Sequence, residues 1–117
     1  MMLEFPKYHC DVSKIDYTIE FILDKYNYPE IGEHGTKRWY NSEGKLHRIK
    51  GPAIIYTNGS KFYYQNNRLH REDGPAVIHA DGEQQYYQNG KLHRFNGPAV
   101  IYYDGDVEYW ENGKRIK

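Results

Sequence analysis

Leu69-His70-Arg71-Glu72-Asp73-Gly74-Pro75-Ala76 is the stretch that decides how this chain folds, because close variants of it stand at the same interval on either side. The other copies read Leu46-His47-Arg48-Ile49-Lys50-Gly51-Pro52-Ala53 and Leu92-His93-Arg94-Phe95-Asn96-Gly97-Pro98-Ala99. The Leu, His, Arg, Gly, Pro and Ala return each time, and the two residues between Arg and Gly change. This fixed 23-residue period indicates tandem supersecondary units stacked on one another.

The composition favours a tyrosine-rich β-sheet over an aliphatic core. The 117 residues include 13 Tyr, and aromatic residues suit a half-buried pleated surface. The length is that of one domain. A single cysteine, Cys10, excludes an internal disulfide, and the reducing cytosol is the simplest compartment, so we expect a cytoplasmic protein. No signal peptide or membrane-spanning run is visible.

The charge is balanced overall but divided between two regions. Residues 1–34 hold three Lys/Arg against seven Asp/Glu, and residues 35–117 hold thirteen against nine. This basic excess is too small for a general nucleic-acid binder. It permits the acidic N-terminal region to lie against the basic repeats.

Residues 1–34 form an N-terminal leader in this interpretation, and residues 35–117 form the repeats, with three copies and a partial fourth. Ser13 to Tyr26 is predicted to be one amphipathic helix, because its apolar residues share one face. Those residues are Ile15, Ile19, Ile22, Leu23 and Tyr26. We expect this helix to pack on the repeat sheet; the alternative is that it docks on another protein.

Each repeat is predicted to contain two strands, a Tyr-rich run and an Ala-Val-Ile run. Asp81-Gly82 is typical of a two-residue hairpin turn with positive φ at both positions, and Asn89-Gly90 marks a second turn. That second turn, the Leu-His-Arg string and the Gly-Pro would form one long connection, in which Gly adopts a conformation that other residues avoid. The predicted fold is mainly β: an elongated antiparallel sheet of tandem β-hairpin repeats with one N-terminal α-helix.

The repeat resembles the MORN repeat, which is a 23-residue unit as well. The resemblance rests on Tyr86-Tyr87-Gln88-Asn89-Gly90-Lys91, followed by His93, Gly97 and Asp104-Gly105. It departs from the MORN pattern because Arg94-Phe95-Asn96 separate His93 from the glycine. The Leu-His-Arg-x-x-Gly-Pro-Ala form is most similar to small MORN-like proteins of bacteria and phages. The resemblance implies stacked antiparallel hairpins that serve as a binding or scaffold surface.

Three arginines and three histidines recur in columns along one predicted edge of the sheet. Arg48, Arg71 and Arg94, with Lys45, Arg68, Lys91 and Lys114, would form a basic ridge suited to carboxylates or phosphates. The alternative is that each Arg pairs with carbonyls or acids of the repeat itself. His47, His70 and His93 are spaced too widely to converge on one ion, so we predict no metal site.

Two aromatic columns complete the candidate surfaces. Tyr40, Tyr63, Tyr86 and Tyr109 are predicted to share one face and to pack in the core. Asn41, Tyr64, Tyr87 and Trp110 would lie on the opposite face, where exposed aromatics mark an interaction surface.

No catalytic arrangement and no cofactor motif stands out, so we expect a non-catalytic protein-binding module rather than an enzyme. The predicted partner-binding residues are Tyr64, Tyr87, Trp110, Arg48, Arg71, Arg94, His70 and His93. The resemblance to phage proteins implies inhibition of a host protein, such as a defence component. One alternative is a binder of an anionic nucleotide or nucleic acid along the Arg/His ridge. Another is a structural protein that forms homodimers through open sheet edges.

Overall fold

The computed structural model describes residues 28–117, which form an antiparallel β-structure without a helix in that range. Eight short strands pair into one long sheet. Their bounds are Glu30–Ile31 (β1), Lys37–Arg38 (β2), Ile54–Ile55 (β3), Lys61–Phe62 (β4), Val77–Ile78 (β7), Gln84–Gln85 (β8), Val100–Ile101 (β11) and Val107–Glu108 (β12). They lie side by side in the order β1-β2-β3-β4-β7-β8-β11-β12. The mainly β fold with stacked antiparallel hairpins is confirmed for the described residues.

Three further hairpins lie outside the long sheet, one in each of the last three copies. They are Tyr64–Gln65 (β5) with Arg68–Leu69 (β6), Tyr87–Gln88 (β9) with Lys91–Leu92 (β10), and Trp110–Glu111 (β13) with Lys114–Arg115 (β14). Each copy therefore contributes two strands to the long sheet, as predicted, but the predicted long connection contains strands of its own. The Tyr-rich run divides at Tyr63, with Phe62 in one sheet and Tyr64 in the other.

The two kinds of turn differ in backbone conformation. In Asn66-Asn67, Asn89-Gly90 and Asn112-Gly113 both residues have positive φ, as the predicted two-residue turn requires. In Asp81-Gly82 only the glycine does, with φ of 98°. There the Gly82 amide donates to the His79 carbonyl and the His79 amide donates to the Glu83 carbonyl. This is a three-residue loop closed by a glycine bulge, so the prediction of a two-residue turn is wrong at these positions.

The core consists of two columns of small and β-branched side chains. Ile54 pairs with Phe62, Phe62 with Val77, and Val77 with Gln85, so equivalent residues recur two strands apart. The buried residues are Ala53, Ala76, Ala99, Ile54, Val77 and Val100, with Trp39 at one end and Ser60 in a turn. These residues are buried because neighbouring copies stack on one another, so one copy alone would have little core.

The register of the first copy differs from that of the others by one residue. The Trp39 amide donates to the Ala53 carbonyl, as Tyr63 does to Ala76 and Tyr86 to Ala99. Tyr40 pairs with Leu46, as Tyr64 does with Leu69. The loop at Ser42-Glu43-Gly44 has one residue more than the later turns, and this insertion shifts the register. The predicted columns are therefore wrong in the first copy: Trp39 belongs with Tyr63, and Tyr40 belongs with Tyr64.

The described sheet begins before the predicted boundary at residue 34. Glu30–Ile31 pairs with Lys37–Arg38 around a loop closed by Gly35, whose φ is 87°. The same loop recurs in every copy. The predicted helix from Ser13 to Tyr26 lies outside the described residues. Within residues 28–117, the structure contains no helix with the length and apolar character to cross a membrane.

Candidate functional site

Each repeated arginine of the three full loops, residues 46–53, 69–76 and 92–99, lies between an aromatic ring and a glycine. We call these segments the arginine loops. The guanidinium carbon of Arg71 lies 3.9 Å from the centre of the Tyr63 ring. Its Nη1 donates to the Pro75 carbonyl at 3.1 Å. Arg48 over Trp39 and Arg94 over Tyr86 repeat both contacts.

The glycine of the arginine loop is required by close packing rather than by backbone conformation. Gly51, Gly74 and Gly97 do not have positive φ, so the prediction of an unusual conformation is wrong. A Cβ at Gly74 would lie 2.9 Å from Cζ of Arg71, and the other two glycines give the same value. Any side chain here would push the guanidinium away from its ring. The absence of a side chain at this glycine therefore leaves room for the guanidinium of the Arg three residues earlier.

The His and Arg of each arginine loop also join one copy to the next. Nδ1 of His70 accepts a hydrogen bond from the backbone amide of Asn89 at 3.0 Å. His47 and His93 make the same contact one copy before and one copy after. The Arg71 amide donates to the Tyr87 carbonyl at 3.3 Å. The predicted binding residues His70 and His93 therefore join copies through their rings, and Arg48, Arg71 and Arg94 join them through their backbone amides.

These contacts leave the arginines only partly available to a ligand. Partial burial lowers the pKa of Arg48 from its ordinary value, because the guanidinium has lost part of its hydration, although Tyr63 opposes the effect. Nε of Arg71 lies 3.4 Å from a carboxylate oxygen of Asp73. The predicted ridge therefore carries two acids of the middle loop, Glu72 and Asp73, among its bases.

The aromatic face is the second candidate surface, and it is more extensive than the sequence suggested. We use this name for Tyr40, Tyr56, Phe62, Tyr64, His79, Tyr87, Tyr102 and Trp110. The Tyr56 and His79 rings each pack edge-on against Phe62, with centroids 5.4 and 5.7 Å away. All eight side chains keep part of their surface exposed among the described residues. The recurrence of residues 56, 79 and 102 at 23-residue intervals was the signal for the column that sequence reasoning missed.

The phenols of Tyr56, Tyr64 and Tyr87 on the aromatic face lie close enough to influence one another. Burial raises the pKa of Tyr64, and charges on Tyr56 and Tyr87 raise it further. Burial also raises the pKa of Tyr87. Both rings are half-buried, so they are partly shielded from water while still reaching the surface. The face therefore combines apolar area with hydroxyl groups that can donate to a partner.

A cluster of polar contacts lies at one end of the aromatic face. The Trp110 indole N–H and the Tyr102 hydroxyl both donate to the Glu108 carboxylate, at 2.8 and 2.9 Å. The hydrogen bond from Trp110, followed by that from Tyr102, lowers the pKa of Glu108. The hydrogen bond to Glu108 is in turn the main cause that raises the pKa of Tyr102. This network fixes the orientation of Trp110 at the surface.

Two grooves separate the three arginine loops. One has a volume of about 490 Å³ and lies between Arg48 and Arg71; the other, of about 560 Å³, lies between Arg71 and Arg94. Both contain a tyrosine, a glutamine and a histidine at equivalent positions. Glu72 and Asp73 line both grooves, so their charge is mixed. Within residues 28–117, the structure brings together no group of three or more His, Cys, Asp or Glu side chains that could hold a metal ion.

Comparison with known proteins adds no functional assignment. No family model matches the chain, and no match was found among curated proteins or solved structures.

Proposed function

We propose that this chain is a non-catalytic protein-binding module that contacts its partner through the aromatic face. The observation that carries the proposal is the contrast between this face and the arginine loops. Both sets of side chains are half-buried, but the polar groups of the loop arginines and histidines make contacts inside the repeat stack, whereas the rings of the aromatic face present apolar area at the surface. Aromatic side chains usually supply most of the binding energy when a protein partner covers them.

The position of Tyr87 and Trp110 makes them the best residues for a test. Both occupy the same place in successive copies, and each hydrogen-bonds to a side chain two residues earlier. Neither belongs to the buried core. Replacing both with alanine removes two adjacent rings and leaves the arginine loops intact.

The test begins with capture of a partner from nuclease-treated lysate by the immobilised wild-type chain. Affinity is then measured by calorimetry with the purified partner. We expect Tyr87→Ala with Trp110→Ala to weaken binding by about 100-fold or more. Tyr103→Ala, which removes an exposed tyrosine in a turn, is the matched control and should bind normally. Circular dichroism should show that both variants remain folded.

Salt dependence separates this proposal from the anionic-ligand alternative. Binding through aromatic rings should change little between low and moderate salt, whereas binding of a nucleotide or nucleic acid to Arg48, Arg71 and Arg94 should weaken steeply. Arg68→Gln with Lys91→Gln removes two exposed charges of the ridge without disturbing the loop arginines. If that pair abolishes binding and the aromatic pair does not, the protein-binding proposal is wrong.

Inhibition of a host defence protein is the specific form of this proposal, and its support is the resemblance to small phage proteins. A bacterial lysate is therefore the first source of partner to use. The captured protein should lose activity on adding the wild-type chain and keep it on adding Tyr87→Ala/Trp110→Ala. If the captured protein keeps full activity with the wild-type chain bound, this chain is a binding module that does not inhibit its partner.

A further inference from the structure

The two changing residues of each arginine loop are exposed, whereas the other six are half-buried or buried. We call these pairs the loop tips: Ile49-Lys50, Glu72-Asp73 and Phe95-Asn96. All six residues are exposed. The flanking Arg is held by a ring, a glycine and a carbonyl, so each tip is presented on a fixed support.

Along the three tips, Ile49, the Glu72-Asp73 pair and Phe95 place an apolar, an acidic and an apolar group in that order, with Lys50 beside Ile49 and Asn96 beside Phe95. Ile49 is 70% exposed and Phe95 is 79% exposed. Between them, the side chains of Glu72 and Asp73 are 76% and 89% exposed, although Glu72 accepts from His70 and Asp73 approaches Arg71. Ile49 and Phe95 are separated by the acidic tip and form no continuous apolar patch, so a partner would have to recognise their spacing together with the charge between them. The acidic centre calls for a positive charge on the partner.

The spacing of the tips selects the conformation of that partner. Equivalent residues are two strands apart in the long sheet, which gives about 9.5 Å per copy. A polyproline II helix repeats every three residues at 3.1 Å each, or about 9.3 Å, so residues three apart face the same side. In a β-strand, residues three apart face opposite sides. Seven residues of an α-helix span about 10.5 Å, a poorer match.

We propose that the three loop tips bind a proline-rich segment in the polyproline II conformation. The segment carries an Arg or Lys opposite Glu72 and Asp73. It carries apolar residues three positions before and three positions after, in contact with Ile49 and Phe95. Its carbonyl groups make no internal hydrogen bonds and are free to accept from Lys50 and Asn96, each of which lines one of the grooves. This surface is separate from the aromatic face and does not depend on it.

The test uses a fluorescein-labelled peptide, Pro-Leu-Pro-Pro-Arg-Pro-Pro-Leu-Pro, and fluorescence anisotropy at about 50 mM salt, where the charge contact is weakly screened. Two control peptides differ by one feature each. In the first, Glu replaces the central Arg. In the second, each Leu moves one position towards the Arg, which breaks the three-residue spacing. We expect the Arg peptide to bind at least 10-fold more tightly than either control.

Variants of the protein complete the test. Ile49→Ser with Phe95→Ser should weaken peptide binding about 10-fold without changing the melting temperature, because both side chains are exposed. Glu72→Lys with Asp73→Lys should reverse the preference, so that the Glu peptide binds better than the Arg peptide. Tyr87→Ala/Trp110→Ala should bind the Arg peptide like wild type, which distinguishes this surface from the aromatic face. Equal binding of the three peptides, or loss in the aromatic variant but not in the tip variant, would overturn the proposal.

Discussion

The arginine loops and the aromatic face share the same repeat period, yet they use the repetition differently. In the loops, the repeated Arg, Gly and His contact one another or the next copy, and few of their polar groups remain available to a ligand. On the aromatic face, the repeated rings lie side by side and keep exposed area. Repetition therefore identifies positions that matter, but the contacts decide whether a position holds the stack together or faces a partner.

Arg71→Ala is expected to have the largest effect on stability. The substitution removes the contact with the Tyr63 ring and the hydrogen bond to the Pro75 carbonyl, and should cost about 2 kcal/mol in the free energy of unfolding. Urea unfolding measures it. Lys91→Ala, an exposed base of the same predicted ridge, is the control and should change stability by less than about 0.5 kcal/mol. Equal stability of the two variants would show that Arg71 is not structural.

Gly74→Ala tests why the glycine is there. We expect a loss of about 1 kcal/mol, because the new Cβ displaces the Arg71 guanidinium from Tyr63. The same substitution in the Arg71→Ala background should cost almost nothing, and a double-mutant cycle by urea unfolding measures this coupling. The same cost in both backgrounds would point to a backbone cause instead.

His70→Leu tests the joint between two copies. Loss of the acceptor for the Asn89 amide should cost about 0.5 to 1 kcal/mol, since water can replace His70 at this exposed turn. His34→Leu, at an exposed turn position, is the matched control for loss of an imidazole. Hydrogen exchange of the Asn89 amide should also become faster. An unchanged exchange rate at Asn89 would contradict the assigned role.

The smallest expected effect concerns pH and lies at the end of the aromatic face. Hydrogen bonds from Trp110 and Tyr102 lower the pKa of Glu108, so its favourable contribution is present at neutral pH and is lost as pH falls through the lowered pKa. The stability difference between wild type and Glu108→Gln should therefore shrink on acidification, as followed by thermal unfolding. A difference that stays constant from neutral to acidic pH would argue against the network.

Sequence reasoning located the repeats and the turns better than it located the contacts. The positive φ at Asn66-Asn67 and Asn89-Gly90 followed from the local residue types. The register shift of the first copy did not follow from the local residue types. Its loop, Ser42-Glu43-Gly44, resembles the later turns in residue type and differs only by one additional residue. The contact of Arg48 with Trp39, and the place of Trp39 rather than Tyr40 in the column of Tyr63, were decided by the tertiary structure.

The candidate site divides in the same way. The column of Tyr64, Tyr87 and Trp110 was predicted from the sequence, because residues at one repeat position must share one face. The division between engaged arginines and exposed tips was not predicted. Arg71 and Glu72 are neighbours in the chain and both are charged, and nothing local distinguishes the side chain that packs on Tyr63 from the one that faces solvent.

By itself, the sequence determined the 23-residue period, the two antiparallel strands that each copy adds to the long sheet and the position of the turns from Glu43-Gly44 onward, since these depend on residues close together in the chain. The loop closed by Gly35 and the strands of the three further hairpins were not predicted. Only the tertiary structure decided that Arg71 lies between Tyr63 and Gly74, and that His70 joins its copy to the next. The physical reason is that the contact of His70 with Asn89 joins residues of adjacent copies and forms only when those copies stack, whereas the contact of Arg71 with Tyr63 depends on how a loop folds back on its own copy. In the stacked structure the six repeated residues of each arginine loop are buried or half-buried, and the two changing residues are exposed.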